Sequence, residues 1–185
     1  MSGITLNHNM NSVIINTKNY KLRPFKKEDA VLWQIWDVDE EVQAHMPEPK
    51  NKAGDISEQY DYIDKCATDP EGYYWSIETL DGVAIGTVAL FEINIYHQVA
   101  ELGIVIGDKN FWGRGVATEV ITKLIEYAFD NLNIQRISAE VEEKNIPMVK
   151  VFEKVGFEQD GIFKQARIKN RQRINVLHFG ILKQK

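Results

Sequence analysis

One cysteine, Cys66, stands in a chain of 185 residues, so no internal disulfide can form. With four histidines beside that thiol, no CxxC or HxxxH spacing occurs, and a metal site is not expected. Long apolar runs are missing as well. The stretch from Val83 to Phe91 is far shorter than the roughly 20 residues a membrane-spanning helix needs. The N-terminus lacks the basic-then-apolar pattern of a secretory signal, and the expectation is a soluble, cytoplasmic protein with no membrane partner. A basic excess is absent too. Lys and Arg number 22 against 27 Asp and Glu, a net charge of -5 that argues against nucleic acid as a partner, since phosphate demands a basic footprint. The 44% hydrophobic and 26% charged shares are those of a chain that folds, and its length suits one domain of about 150 residues plus an extension.

The charge is unevenly spread. From Asp37 to Glu71 eleven carboxylates face only Lys50, Lys52 and Lys65, whereas after Asp160 no acid occurs and Lys164, Arg167, Lys169, Arg171 and Arg173 follow. Such runs are commonly solvated faces; the sharper reading is an acidic rim that steers a cationic substrate.

Residues 1–18 begin polar and Asn-rich without amphipathic period, and are expected to form a flexible extension before a domain spanning 19–185. Tyr20, Leu22 and Phe25 predict a short strand stopped by Pro24, and Ala30, Trp33 and Trp36 a helical face. Asp55 is placed to cap a second helix carrying Ile56, Tyr60 and Ile63. Alternation then takes over. Asp81-Gly82 marks a hairpin between two strands, a third strand runs about Val99 to Ile106, and Val116, Val120, Ile121, Leu124, Ile125 and Ala128 predict a long helix. A strand at IQRISAEV, a helix ended by Gly156 and two basic strands turning near Asn170 and Arg171 complete the order β-αα-βββ-α-β-α-ββ. This predicts one α/β (α+β) domain, a mixed, mostly antiparallel sheet flanked by helices.

The chemically informative segment is AELGIVIGDKNFWGRGVATEVI, where a strand passes through a double-glycine turn into the long helix. Gly113 and Gly115 permit a backbone whose successive N–H groups converge, and with the helix N-terminus they make a pyrophosphate site. A P-loop is excluded because no Gly-Lys-Ser/Thr occurs, and Thr118 stands where a dinucleotide fingerprint needs Gly or Ala.

That turn, Trp112-Gly113-Arg114-Gly115-Val116-Ala117, resembles the Gln/Arg-x-x-Gly-x-Gly/Ala signature of the GNAT superfamily of acetyl-coenzyme A-dependent N-acetyltransferases, with Trp112 at a departing position. The wider FWGRGVATE is similar to the RimJ/RimL-like branch, which acetylates N-terminal amines of ribosomal proteins. KLRPFKKEDA, AELGIVI, NIPMVKVFEKVGFEQDG and INVLHFGIL agree with that branch in the same order, so the resemblance covers about residues 19 to 183. It implies a GNAT-type domain with acetyl-CoA as co-substrate and no metal. The backbone of Gly113, Arg114, Gly115, Val116, Ala117 and Thr118 would hold the pyrophosphate, that of Val105 and Ile106 would follow the pantetheine arm, and Asn145 and Phe152 would lie beside the coenzyme. Asn145 is equally suited to cap the helix that follows it.

Acetyl transfer to an amine needs a base, and Glu101 is the candidate catalytic residue, standing where several family members carry a catalytic Glu. Its other reading is a carboxylate bonded to neighbouring backbone. The usual proton donors are replaced: Phe152 fills the family's Tyr slot, Met148 a Ser position of the branch, and Arg167 a Glu position. Tyr60, Tyr62 and Ser76 remain as hydroxyl donors. The expected function is acetyl transfer to a primary amine, foremost a protein or peptide N-terminus, by direct attack in a ternary complex. Alternatives are a small amine acceptor (polyamine, amino acid or aminoglycoside), or an acyl-CoA-binding module without catalysis. Asp61 and Asp64 are the acids through which a polyamine would be felt. The assembly is expected to be a monomer or homodimer.

Overall fold

The computed structural model describes residues 13–48 and 54–184. Eight strands form a single sheet: β1 (Ile15–Asn16), β2 (Tyr20–Pro24), β3 (Tyr73–Thr79), β4 (Ala84–Asn94), β5 (Val99–Ile106), β6 (Arg136–Glu142), β7 (Glu158–Lys169) and β8 (Gln172–Leu182). They lie in the order β1-β2-β3-β4-β5-β6-β8-β7. Every pairing among the described residues is antiparallel except β5 with β6.

Helices cover both faces. On one, α4 (Val116–Asn131) and α5 (Ile146–Val155) bury the stripe Val116, Val120, Ile121, Leu124 and Ala128, together with Phe152, against Leu22, Ile77, Leu90, Leu102 and Ile137 of the sheet. On the other, α1 (Asp29–Val38), α2 (Glu40–Gln43) and α3 (Ile56–Thr68) enclose a smaller core of Ala30, Trp33, Trp36, Val42 and Ile63. Asp55 caps α3 through Ser57 N–H, and Gly156 ends α5 in the left-handed region at φ +96°, as their residue types require. Asn170 and Arg171, at φ +49° and +62°, form the two-residue turn between β7 and β8.

Two elements depart from the sequence expectation. Of the extension expected at 1–18, residues 1–12 lie outside the described residues, but Ile15 and Asn16 pair with Leu22 and Lys21, and Ile15 is buried. The turn that follows is fastened to α4: Thr17 Oγ1 and the Asn19 amide N–H both donate to Glu119 Oε1 at 2.6 Å. The other element is α2, a single turn whose first amides, of Glu41 and Val42, donate to the Asp39 carboxylate.

Candidate active site

The site arises where two neighbouring strands stop pairing. Strands β5 and β6 pair only at Val99↔Arg136, Ala100↔Ile137 and Glu101↔Ser138, after which no ladder joins them. The sheet therefore splits immediately beyond Glu101. A cavity of about 760 Å³ occupies the split and the space under α1–α3, lined from the sheet by Glu101, Gly103, Val105, Glu140 and Arg167. Helix α5 contributes Met148 and Phe152, with Asn145 at its head.

Glu101 stands half-buried at the root of the split. Desolvation first, then the like charges of Glu140 and Glu92, push its carboxyl up to about 7, while Arg167 pulls the other way. A group poised near neutrality is suited to take and return a proton.

The turn between β5 and α4 lies outside the residues that line this cavity. Gly113 and Gly115 take φ +70° and +81°, and nothing lies within 4 Å of where a Cβ would stand on either. The turn is thus glycine-dependent for conformation and open above. Gly115 caps the sixteen-residue α4, so the unpaired first amides of the helix, including Ala117 and Thr118, face that opening; Val116 contributes backbone alone, its side chain being buried. Arg114 is exposed, its guanidinium 5.7 Å from the Phe111 ring centroid. Trp112 is accounted for by its indole N–H, which donates to Ile106 O at 2.7 Å and ties the turn to the end of β5.

The Gly107 N–H donates to Ile85 O. By the alternation of an antiparallel ladder, Val105 also directs its amide toward β4, whereas Ile104 and Ile106 direct theirs into the split. Of the two residues expected beside a pantetheine arm, Ile106 therefore presents backbone to the opening and Val105 presents its side chain to the cavity. Asn145 accepts Met148 N–H at 3.3 Å as a helix cap and also lines the cavity. Phe152 lines it from the core, where its ring packs on Phe157 and Phe179 at 5.1 and 5.5 Å.

Of the hydroxyl donors considered, Ser76 is fully buried and donates to Asp29 Oδ2 at 2.6 Å on the far side of α1. Tyr60 lies beside Lys27, and Tyr62 alone of the three lines the cavity. Asp61 and Asp64 are exposed and do not line it, Asp64 pairing instead with Lys27 at 3.1 Å. The acids of that segment that do reach the cavity are Asp37, which accepts from Gln59 Nε2 at 2.5 Å, and Glu58.

Two lining residues, His45 and Glu142, were not visible in the sequence, nor was Lys169, which pairs with Glu142. His45, just beyond α2, sets Nδ1 3.1 Å from Glu142 Oε2, and Lys169 from β7 pairs with the same buried Glu142 while donating to Ala44 O. Only the sheet order brings these residues together.

Residues 20–158 match the acetyltransferase (GNAT) domain family. Among similar proteins, the uncharacterized N-acetyltransferase p20 of Bacillus licheniformis is 33% identical over 171 residues, covering 90% of this chain and 94% of that protein. Spermidine N(1)-acetyltransferase of Escherichia coli (strain K12) is 29% identical, covering 87% of this chain and 84% of that one. Spermidine N-acetyltransferase from Vibrio cholerae, solved with CoA and spermine, superposes with a TM-score of 0.81 at 24% identity, covering 88% of this chain and 95% of its own. Mycobacterium smegmatis RimJ, solved with CoA-disulfide, superposes with a TM-score of 0.82 at 18% identity, covering 94% and 88%. At these identities the two structures carry the fold.

Proposed function

This chain belongs to the GNAT acetyltransferase family and is an acetyl-CoA-dependent N-acetyltransferase; from that premise we propose that its acceptor is the α-amine of a protein or peptide, deprotonated by Glu101. The observation that carries the reading is the Glu101 carboxyl at the root of the split, raised to about 7. An α-amine has a reference pKa near 7.7–8.0, within about one unit of that base, whereas a side-chain amine near 10.4 would face a deficit of roughly three units.

Acetyl-CoA supplies the thioester. The open glycine turn at Gly113 and Gly115, with the amides up to Thr118, suits its pyrophosphate, and the backbone of Ile104 and Ile106 suits the pantetheine arm. Arg114 is close enough to the turn to add a charge-assisted contact by leaving the Phe111 ring. The amine enters from the α1–α3 side, where Glu101 accepts its proton. Phe152 and Met148 hold no proton to give, and Tyr62 stands on the acceptor side, so water protonates the departing thiolate; with a reference pKa near 8.5 it leaves without an acid of its own.

A second reading is a polyamine acceptor, favoured by Asp37 and Glu58 at the cavity wall and by the relationship to spermidine acetyltransferases. The deciding experiment is CoA release from acetyl-CoA with a panel of free α-amine peptides, spermidine and an aminoglycoside, each product identified by mass. Acetylation of peptide α-amines supports the reading; preference for spermidine supports the second; CoA binding with no turnover points to an untested acceptor or a binding module.

A further inference from the structure

Glu101 shares its face of the sheet with a second carboxylate, whose charge has the same sign as its own. The register Glu101↔Ser138 places Glu140, two residues along β6, on the same face, and the pairing Glu140↔His178 continues that face onto β8. Glu140 is not left to act freely. Arg167 of β7 reaches across to pair with Glu140 Oε2, and His178 Nε2 lies 3.3 Å from Glu140 Oε1, out of hydrogen-bonding alignment, with its ring tilted against Phe163. Glu101, Glu140 and Arg167 line one cavity.

We infer that Arg167 is a positioning residue for acetyl transfer: by gripping the Glu140 carboxylate it turns that charge toward β7 and leaves Glu101 free to alternate between its acid and base forms. The inference rests on the reading of Glu101 as base. The residue types agree with it. Arg offers a planar fork that holds a carboxylate in one orientation, which a lysine at the same place would do less well.

The other charged groups around Glu101 do not replace this role. Glu92 of β4 is a like charge, and Glu142 of β6 is taken up by Lys169 and His45. From the helices come Asp37, engaged by Gln59, and Glu58, both acidic. Among the described residues, Arg167 is the one Lys or Arg side chain that lines the cavity, and it acts on Glu101 both directly and through Glu140.

The test compares kcat/KM for Arg167→Gln, Arg167→Lys and Glu140→Gln with the parent across pH 6 to 9, using acetyl-CoA and the fastest acceptor of the panel. Taking the ratio of variant to parent cancels titration of the amine. A one-unit upward displacement of the base makes the Arg167→Gln ratio about a tenth at pH 6, about a fifth at pH 7 and near parity at pH 9. Glu140→Gln, which removes the like charge, displaces the profile the opposite way, and Arg167→Lys lies between. Titration of the Glu101 carboxyl by 13C NMR in the same proteins moves in step and requires no acceptor. A ratio that is flat across pH, with an unmoved Glu101 titration, overturns the inference. If instead Glu101→Gln keeps the parent rate and profile, the base reading itself fails. The two failures are thereby distinguishable.

Discussion

Trp112 donates its indole N–H to the carbonyl of Ile106 at 2.7 Å, so a side chain at the departing position of the glycine turn fastens that turn to the last residue of β5. A single bond thus links the two segments proposed to hold the coenzyme. Replacing Trp112 by Phe keeps a ring and removes the donor. A hydrogen bond of this kind contributes roughly 0.5–1.5 kcal/mol, so the melting temperature falls by a few degrees and the loss of acetyl-CoA affinity is at most about tenfold. Calorimetric titration with acetyl-CoA checks this.

Gly115 offers a sharper case. At φ +81° any side chain with a Cβ is strained, although no atom occupies the space it would enter. The cost of Gly115→Ala is therefore conformational, about 1–2 kcal/mol, and it falls on the turn itself. The expected result is weakened acetyl-CoA binding, with Gly115→Asn milder because Asn tolerates the left-handed region. Paired melting and binding curves for the two variants decide it.

For Glu101 the sign of the pH effect is fixed by its raised carboxyl. The base form accumulates as pH rises through about 7, so the rate climbs over that interval, and Glu101→Gln loses at least about a hundredfold in kcat/KM at unaltered acetyl-CoA affinity. Stability runs the other way. A carboxyl raised on folding contributes stability below its unfolded value that is lost as pH rises through about 7, so Glu101→Gln is more resistant to urea than the parent at pH 8. Loss of activity together with gain of stability is the signature to look for.

Far from the cavity, Arg23 is buried between Asp29 and Glu78. Burial acts to raise the Asp29 carboxyl, but Arg23, the Ser76 hydroxyl and the Lys26 amide together hold it below the usual carboxylate range. Stability from a depressed carboxyl is present above its unfolded value near 3.9 and is lost as pH falls toward the folded one. Acid unfolding is thus expected below about pH 4. Asp29→Asn leaves the buried guanidinium short of a counter-charge and costs about 3 kcal/mol or more, read from urea denaturation.

Much of the fold was legible because its signals are local. Asp81-Gly82 announced the β3–β4 hairpin, the apolar stripe from Val116 to Ala128 announced α4, and Gly156 its neighbour's end. Strand β1 and helix α2 escaped because two and four residues carry no period; partners elsewhere create them, Leu22 for Ile15 and Asp39 for the α2 amides. The same division holds at the site. A turn containing Gly113 and Gly115 is a contiguous pattern, whereas the meeting of His45, Glu142 and Lys169 depends on β8 lying between β6 and β7. Asp61 and Asp64 were indistinguishable from Asp37 and Glu58 by composition; which face of α1 or α3 they occupy decides which reach the cavity.

The ladder between β5 and β6, where the two halves of this sheet meet, is three residue pairs long. A ladder continued along the full length of β5 would leave a continuous wall. The short seam instead leaves an opening between β5 and β6, lined by both strands and also by His45, Met46 and Pro47 beyond α2. The strands fix the position of the carboxylate at the head of that opening, while α1–α3 and their connections shape the side on which an acceptor would enter.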